Sequence, residues 1–320
     1  MNYLLRFNLN IEGANIDKNF LYFNSIGNFG NNMKKESKNF AFHTIKVDDI
    51  KSILKKRPVD SHKRTFGHAL MMSGSKGMMG ACVLSSEAIL RSGAGLLTIY
   101  IPKAGELIVQ TSIPEAMVIV DSNENHIQSF PDLSKYSAIG VGPGIGTASE
   151  TKNAIADFIN HVSIPTIFDA DALNIISQNK ELLQHIPHES VLTPHEREFE
   201  RLVGSFDNIN DRTELQKNLS IQYQINILVK GPQTCMTNST GDIFINSTGN
   251  PGMATGGSGD VLTGIITGLV ARGLSPFNAM ISGAYLHGLS GDIARGFLGE
   301  ESMTAQDLVD YLGQSFLKVI

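Results

Sequence analysis

The chain has 320 residues, 42% of them hydrophobic, with a formal net charge of -5 and a pI near 6.0. That length can bury a sizeable core in one large domain or two small ones, and the acidic balance, with no sustained Lys/Arg run, excludes a nucleic-acid footprint. No apolar run approaches the roughly 18 residues that span a bilayer, and Cys82 and Cys235 fit neither a zinc spacing nor a disulfide framework, so a soluble cytoplasmic protein with no membrane partner is expected.

Residues 1–45 are Asn-rich, show no clear period or turn-bounded strand, and are expected to form a poorly ordered extension. The basic cluster 51–57 is mixed with apolar residues and reads as a solvated helix face. From residue 46 the chain alternates. Short apolar runs that suit buried parallel strands lie at 69–72, 96–101, 116–120, 138–141, 166–168 and 225–229. Helical patterns lie at 81–91, 149–160, 196–202 and 212–223. This order predicts right-handed crossovers and an α/β fold: a doubly wound, mostly parallel central sheet with helices on both faces. Runs 235–237 and 243–245, joined by a Gly241-Asp242 turn, predict a hairpin. The last third is helical at 261–271, 277–293 and 305–317, and residues 46–320 read as one domain.

Glycine makes up 31 residues, gathered at 74–80, 93–95, 140–146 and 249–259, where loops between apolar runs can approach a ligand closely. The strongest motif is GNPGMATGGSGD (249–260), which runs directly into the apolar helix predicted at 261–271. Bare backbone N–H groups at a helix start, aided by the macrodipole, make an anion hole suited to a migrating phosphoryl group. Asp260 at that spot would repel phosphate unless it had a proton to take, so its natural role is general base toward a hydroxyl. The competing reading is that Asp260 only caps the helix, but a cap requires no glycine cluster.

A second loop, GVGPGIGT (140–147), matches a dinucleotide fingerprint only in part, and the Lys and Ser/Thr of a P-loop are missing from it. Asp169-Ala170-Asp171 offers either two carboxylates placed for Mg²⁺ or a helix N-cap at Asp171. His195, in LTPH (192–195), could donate to a substrate amide or phosphate, or serve as a surface or capping group. Lys230-Gly231-Pro232-Gln233-Thr234 gathers a cation, a bare glycine and a hydroxyl in one turn after a predicted strand. The loop 73–81 places Gly80 and Ala81 at a helix start, for packing or for ligand approach.

Taken in order, GSKGMMGA (74–81), RSGAGL (91–96), GPGIGT (142–147), DADALN (169–174), LTPHEREFERL (192–202), KGPQT (230–234) and GNPGMATGGSGDVLTG (249–264) resemble the ADP/ATP-dependent NAD(P)H-hydrate dehydratase family of the ribokinase-like superfamily. The matches spread over nearly all of 46–320. The resemblance implies a ribokinase-like fold and a lyase that dehydrates the S form of hydrated NADH or NADPH. The nucleotide, ADP in preference to ATP, phosphorylates the adduct's hydroxyl, and phosphate then leaves as the nicotinamide ring is restored. Carried over by position, Asp260 looks like the base, and Gly256, Gly257 and Gly259 like the anion hole. Ala81, Gly144, His195 and Asp260 look like contacts to the hydrated cofactor. Lys230, Gly231, Pro232, Gln233, Thr234 and Gly259 look like nucleotide contacts.

Mg²⁺ is implied by the chemistry, with its ligands left open, and relatives commonly assemble into homo-oligomers. Glu196-Arg197 stands where family members often carry Pro-Gly. Many relatives carry a fused epimerase domain ahead of the dehydratase. Residues 1–45 are too short for one, so a separate epimerase, or a chain that is a fragment, is expected. The rival enzyme reading is a small-molecule kinase of the same superfamily, of hydroxyethylthiazole or sugar type; the rival outside enzymes is a silent nucleotide sensor.

Overall fold

The computed structural model describes residues 21–22 and 40–320. Its strands, in chain order, are β1 (Leu21–Tyr22), β2 (Ala41–Thr44), β3 (His68–Met72), β4 (Leu96–Ile101), β5 (Met117–Val120), β6 (Ala138–Val141), β7 (Thr166–Phe168), β8 (Val191–Leu192), β9 (Asn226–Val229), β10 (Cys235–Thr237) and β11 (Ile243–Ile245). Among the described residues they form one sheet in the order β1-β2-β11-β10-β9-β8-β7-β6-β3-β4-β5. The seven strands from β5 to β9 are parallel, and β9, β10 and β11 continue as an antiparallel meander. The chain builds outward from β3 to β5, returns to lay β6 against β3, and builds outward again. The seam between β3 and β6 is therefore the topological switch point, where open α/β sheets leave a crevice past the carboxyl ends of their strands.

Strand alternation sends side chains to two cores. Ala69 and Met71 of β3 face one, Leu70 and Met72 the other. The first core is covered by α1 (Val47–Ile53), α2 (Met79–Arg91), α3 (Glu106–Ser112), α8 (Ser258–Ala271), α9 (Pro276–Leu298), α10 (Ala305–Asp310) and α11 (Leu312–Val319), and the second by α4 (Ser149–His161), α5 (Ala170–Gln178), α6 (Glu196–Val203) and α7 (Ile209–Tyr223). Helix α8 is apolar all round because it is buried between the sheet and its helical neighbours. Its Gly264 rides on α2: a Cβ there would run into the carbonyl oxygen of Ser85 and lie 2.7 Å from Ala88 Cβ.

Three expectations need correction. Ala41–Thr44, placed outside the fold by the sequence reading, forms a strand parallel to β11, and Ile45 is fully buried. The remainder of 1–45, apart from Leu21–Tyr22, lies outside the described residues. The basic cluster 51–57 is helical only to Ile53. Arg57 instead donates to Gly93 O at 2.8 Å and lies 4.0 Å over the Phe66 ring, because a guanidinium gains more from a carbonyl and an aromatic face than from solvent alone. The helix predicted at 305–317 is two, broken at Tyr311.

Candidate active site

The register aligns Met72, Val141, Phe168 and Leu192 across the sheet, so the segments that follow these strands emerge along one edge. They are the loop 73–78, the glycine loop 142–147, Asp169-Ala170-Asp171 and Thr193-Pro194-His195. Lys230 joins them one strand further on, through a parallel bridge with His195 and its N–H donating to Pro194 O at 2.8 Å. One sheet edge thus collects motifs scattered over residues 73–230.

On one side of the seam, Ala81 and Gly144 meet. Gly144 has φ +63, and a Cβ on it would sit 2.8 Å from Met78 O and 3.1 Å from Ala81 Cβ, so only glycine lets the two loops close up. Ser75 Oγ donates to Gly144 O at 2.8 Å, and Gly74 N donates to Pro143 O at 2.8 Å. One turn along α2, Leu84 packs against Gly257, whose φ of +91 starts α8. The two predicted substrate residues therefore lie one helical turn from the predicted anion hole.

On the other side, Lys230 Nζ bonds Asp169 Oδ1 at 2.7 Å and lies 4.0 Å from Glu198 Oε2. A Cβ on Gly259 would be 3.2 Å from that ammonium, so the missing side chain is what admits the cation to the first turn of α8. Asp169 is 1% exposed; its second oxygen accepts from Thr263 Oγ1 at 2.6 Å. Burial works against the Lys230 charge, but Asp169 and Glu198 outweigh it and hold the ammonium above the usual lysine range. Asp260 stands in the same cluster. Burial first, then the negative charge of Asp169, push its carboxyl up to about 7, with Lys230 opposing and Asp171 and Glu198 adding to the rise. A carboxyl poised near neutral pH beside helix amides matches a general base.

His195 is the N-cap of α6 in a capping box: Glu198 N–H donates to Nδ1 at 3.2 Å, and His195 N–H donates to Glu198 Oε2 at 2.8 Å. With Nδ1 accepting, the proton sits on Nε2, on the half-exposed side of the ring. Burial and the nearby Lys230 charge lower its pKa, so the imidazole is neutral at pH 7. The cap uses Nδ1, while Nε2 lies 3.4 Å from Glu198 Oε1 on the half-exposed side of the ring, so a ligand there would share that N–H with Glu198. Glu198 is 6% exposed, and burial raises its carboxyl above the usual range.

Asp171 is not the N-cap. Asp169 occupies that position, and Asp171 turns away to accept Gly146 N–H at 2.9 Å and Asn174 Nδ2 at 3.2 Å. Ala170 between them is held at φ +48, which splits the two carboxylates between opposite tasks. With Asp169 committed to Lys230 and Thr263, and Asp171 to the glycine loop, these side chains do not fit a protein-built Mg²⁺ site. Among the described residues no group of three or more His, Cys, Asp or Glu is arranged to hold a metal.

Beyond Lys230, Gly231, Pro232 and Gln233 form an exposed turn that Thr234 Oγ1 closes by donating to Gly231 O at 3.2 Å. The Lys230 side chain thus belongs with the carboxylates, and the turn with solvent. Sequence reasoning missed the parts played by Asp169 and Thr263 as a pair. Thr263 falls three residues after Asp260, on the same face of α8, a spacing that could have singled it out.

A family model described as NAD(P)H-hydrate dehydratase matches residues 69–314. This chain belongs to the NAD(P)H-hydrate dehydratase family. It is 36% identical over 251 residues to the ADP-dependent (S)-NAD(P)H-hydrate dehydratase of Neisseria meningitidis serogroup B, covering 76% of this chain and 82% of that one. It is 38% identical over 272 residues to the bifunctional NAD(P)H-hydrate repair enzyme of Moorella thermoacetica, covering 82% of this chain and 51% of that protein, and it spans about half the length of the first such bifunctional relatives it matches. The crystal structure of the ADP/ATP-dependent NAD(P)H-hydrate dehydratase from Bacillus subtilis, co-crystallized with ATP/Mg²⁺, superposes with a TM-score of 0.74 at 29% identity, over 86% of this chain and 98% of that one. The ribokinase-like α/β fold implied by the resemblance holds. Among the described residues no helix is long and apolar enough to cross a membrane.

Proposed function

We propose that this protein uses ADP or ATP to dehydrate the S form of hydrated NADH and NADPH, restoring the reduced nicotinamide ring. The observation that carries this reading is Asp260: a carboxyl raised to about 7, on the first turn of a helix whose start is a bare glycine turn, and next in sequence to Gly259, whose missing side chain admits the Lys230 ammonium.

The chemistry follows from the parts. Hydroxide is a poor leaving group and phosphate a good one. Asp260 takes the proton of the adduct's hydroxyl, and that oxygen forms a bond to the terminal phosphorus of the nucleotide as the bridging P–O bond breaks. The shortened nucleotide leaves with the electron pair of that bond. The C–O bond of the adduct then breaks, phosphate departs with its electrons, and the neighbouring ring carbon loses a proton to re-form the double bond. The amides at Gly256, Gly257 and Gly259 and the Lys230 ammonium stabilise charge on the phosphoryl oxygens, the dominant demand of phosphoryl transfer. Ala81 and Gly144 leave room for the nicotinamide end of the substrate, His195 donates to it from Nε2, and the turn Gly231, Pro232, Gln233 and Thr234 meets the nucleotide. When bound with the nucleotide, Mg²⁺ supplies charge neutralisation. The enzyme works in the cytoplasm as a homo-oligomer, with an epimerase supplying the S form.

The test is optical. Adding ADP or ATP to purified protein and hydrated NADH should restore the near-ultraviolet band of the reduced nicotinamide. Formation of a stable phosphate ester, with no return of the band, would point to a small-molecule kinase instead.

A further inference from the structure

The glycine loop that precedes α8 lies along one face of α9, which lacks the side chains that would hold it away. A Cβ on Gly288 would sit 2.6 Å from the carbonyl carbon of Thr248, and one on Gly291 would sit 2.6 Å from Met253 Cγ. Asp292, on the same face, accepts Gly249 N–H at 2.9 Å and Asn250 Nδ2 at 3.0 Å, which ties down the start of the loop. At the loop's far end, Ser258 Oγ lies 3.3 Å from His287 Nε2. Ser258 is the first residue of α8, with Gly257 and Gly259 on either side. Burial, opposed by a hydrogen bond to the Ser258 backbone and reinforced by the Lys230 charge, pushes the His287 imidazole down to about 4. The ring is therefore neutral under working conditions, with one nitrogen protonated and one bare.

We propose that the Ser258 hydroxyl is a side-chain donor in the anion hole, and that His287 is the positioning residue that aims it. With the proton on Nε2, the ring donates to Ser258 Oγ, and the hydroxyl's own hydrogen is left to point at a phosphoryl oxygen beside the bare amides. Backbone amides are aimed by the helix itself. A hydroxyl rotor is aimed only by its partners, so without the imidazole Ser258 divides its hydrogen among neighbouring carbonyls and solvent. The half-buried ring supplies that orientation without adding a charge to a site already crowded with ionised groups.

This inference rests on the phosphoryl-transfer reading, and a double-mutant cycle tests it separately. Wild-type protein, Ser258→Ala, His287→Ala and the double variant are assayed on hydrated NADH with ADP or ATP. Ser258→Ala is expected to lower kcat about 10²-fold, as loss of one preorganised donor does, while the nucleotide KM moves by less than about three-fold. His287→Ala is expected to lower kcat about 10-fold alone and nothing further once Ser258 is Ala, because the two act as one unit. His287→Gln, which keeps an amide donor near the Nε2 position, should recover most of the loss. Normal turnover by Ser258→Ala, or losses that multiply in the double variant, overturns the proposal. Should His287→Ala fail to fold, Ser258→Ala and His287→Gln decide the matter, since the first removes one oxygen from a half-buried turn. An inactive wild type overturns the dehydratase reading instead. The same cycle, read as the rise in Tm induced by nucleotide together with aluminium fluoride, which stands in for the migrating phosphoryl group, then decides the Ser258–His287 pair by its coupling or additivity.

Discussion

Asp169 and Lys230 are 61 residues apart in sequence and 2.7 Å apart in space, joined across the ends of β7 and β9 with β8 between them. Asp169 is fixed from below by Thr263, so the ammonium is pinned between the sheet edge and the first turn of α8. The pair sets the field in which Asp260 titrates: Asp169 raises its pKa and Lys230 lowers it.

Replacing Lys230 by Met should therefore shift the acid limb of the pH–rate profile. With the cation gone, Asp169, Glu198 and Asp260 face one another unneutralised, and Asp260 holds its proton to higher pH. Turnover at pH 7 is expected to fall about 10²-fold or more, partly through the lost phosphate contact and partly through the smaller fraction of free base. The single change should also destabilise the fold by about 3 kcal/mol, because it strands the buried Asp169, and adding Asp169→Asn should restore most of that stability but none of the activity. A kcat/KM profile with an unmoved acid limb would show that the ammonium does not reach Asp260.

Asp260 itself should trade stability for activity. Its pKa is about 7 in the folded protein against an ordinary value of 3.8. A carboxyl whose folded pKa is raised binds its proton more tightly when folded, so the fold loses stability as pH rises between roughly 4 and 7 and has lost it in full above that window. Asp260→Asn removes the ionisable group. It should raise unfolding stability by on the order of 2 kcal/mol at pH 8 and by almost nothing at pH 4, while lowering turnover by about 10²-fold or more. Denaturant melts at the two pH values check the first statement and single-turnover kinetics the second. Equal melts at pH 8 would mean that Asp260 is not held in a hostile field.

Much of this site was legible in the sequence because phosphate chemistry writes itself in local glycine clusters. GNPGMATGGSGD announces a bare helix start, and the structure puts Gly256, Gly257, Gly259 and Asp260 at or beside the start of α8, as that pattern requires. The strand runs at 96–101 and 166–168 correspond to β4 and β7 residue for residue, since buried parallel strands are continuous apolar runs with sharp polar ends. The two-residue β8 is too short to show a period, and Ala41–Thr44 gains its strand state from pairing with β11 rather than from its own pattern. The partnership of Asp169 with Lys230 depends on which strands neighbour each other, and that is a property of topology. Of the two alternatives open for Asp169-Ala170-Asp171, the N-cap at Asp171 falls two residues late, because sequence cannot reveal that α5 already starts at a left-handed Ala170.

Ala170 gives a prediction of its own. An alanine at φ +48 carries left-handed strain of about 1 kcal/mol, and a glycine there would be relieved of it but would gain nearly as much entropy in the unfolded chain. Ala170→Gly should thus change stability by less than about 1 kcal/mol, whereas Ala170→Val, β-branched and poorly tolerated in that region, should destabilise by about 2 kcal/mol. If the valine variant also loses turnover at unchanged nucleotide affinity, the bend at Ala170 is what aims Asp169 at Lys230. A valine variant as stable as the parent would remove the strain from the account.

The contact between α2 and α8 makes the last case, because it links the two halves of the site. Gly264 lets α8 lie directly on the α2 backbone, and α2 carries Ala81 while α8 carries Asp260. A methyl at Gly264 collides with the Ser85 carbonyl, a backbone atom that cannot rotate away, so the helices must separate. Gly264→Ala should cost about 2–3 kcal/mol of stability and should also depress kcat, since a shift of about 1 Å between reacting groups is enough to cost about 10²-fold. Alanine at Gly313 of α11, where a Cβ would meet nothing within 4 Å, serves as the control and should leave kcat unchanged and stability unchanged or raised by up to about 1 kcal/mol. Measuring Tm and kcat on the two variants separates the readings. A Gly264→Ala protein that loses stability but keeps full turnover would mean that the placing of Ala81 relative to Asp260 does not depend on this helix contact.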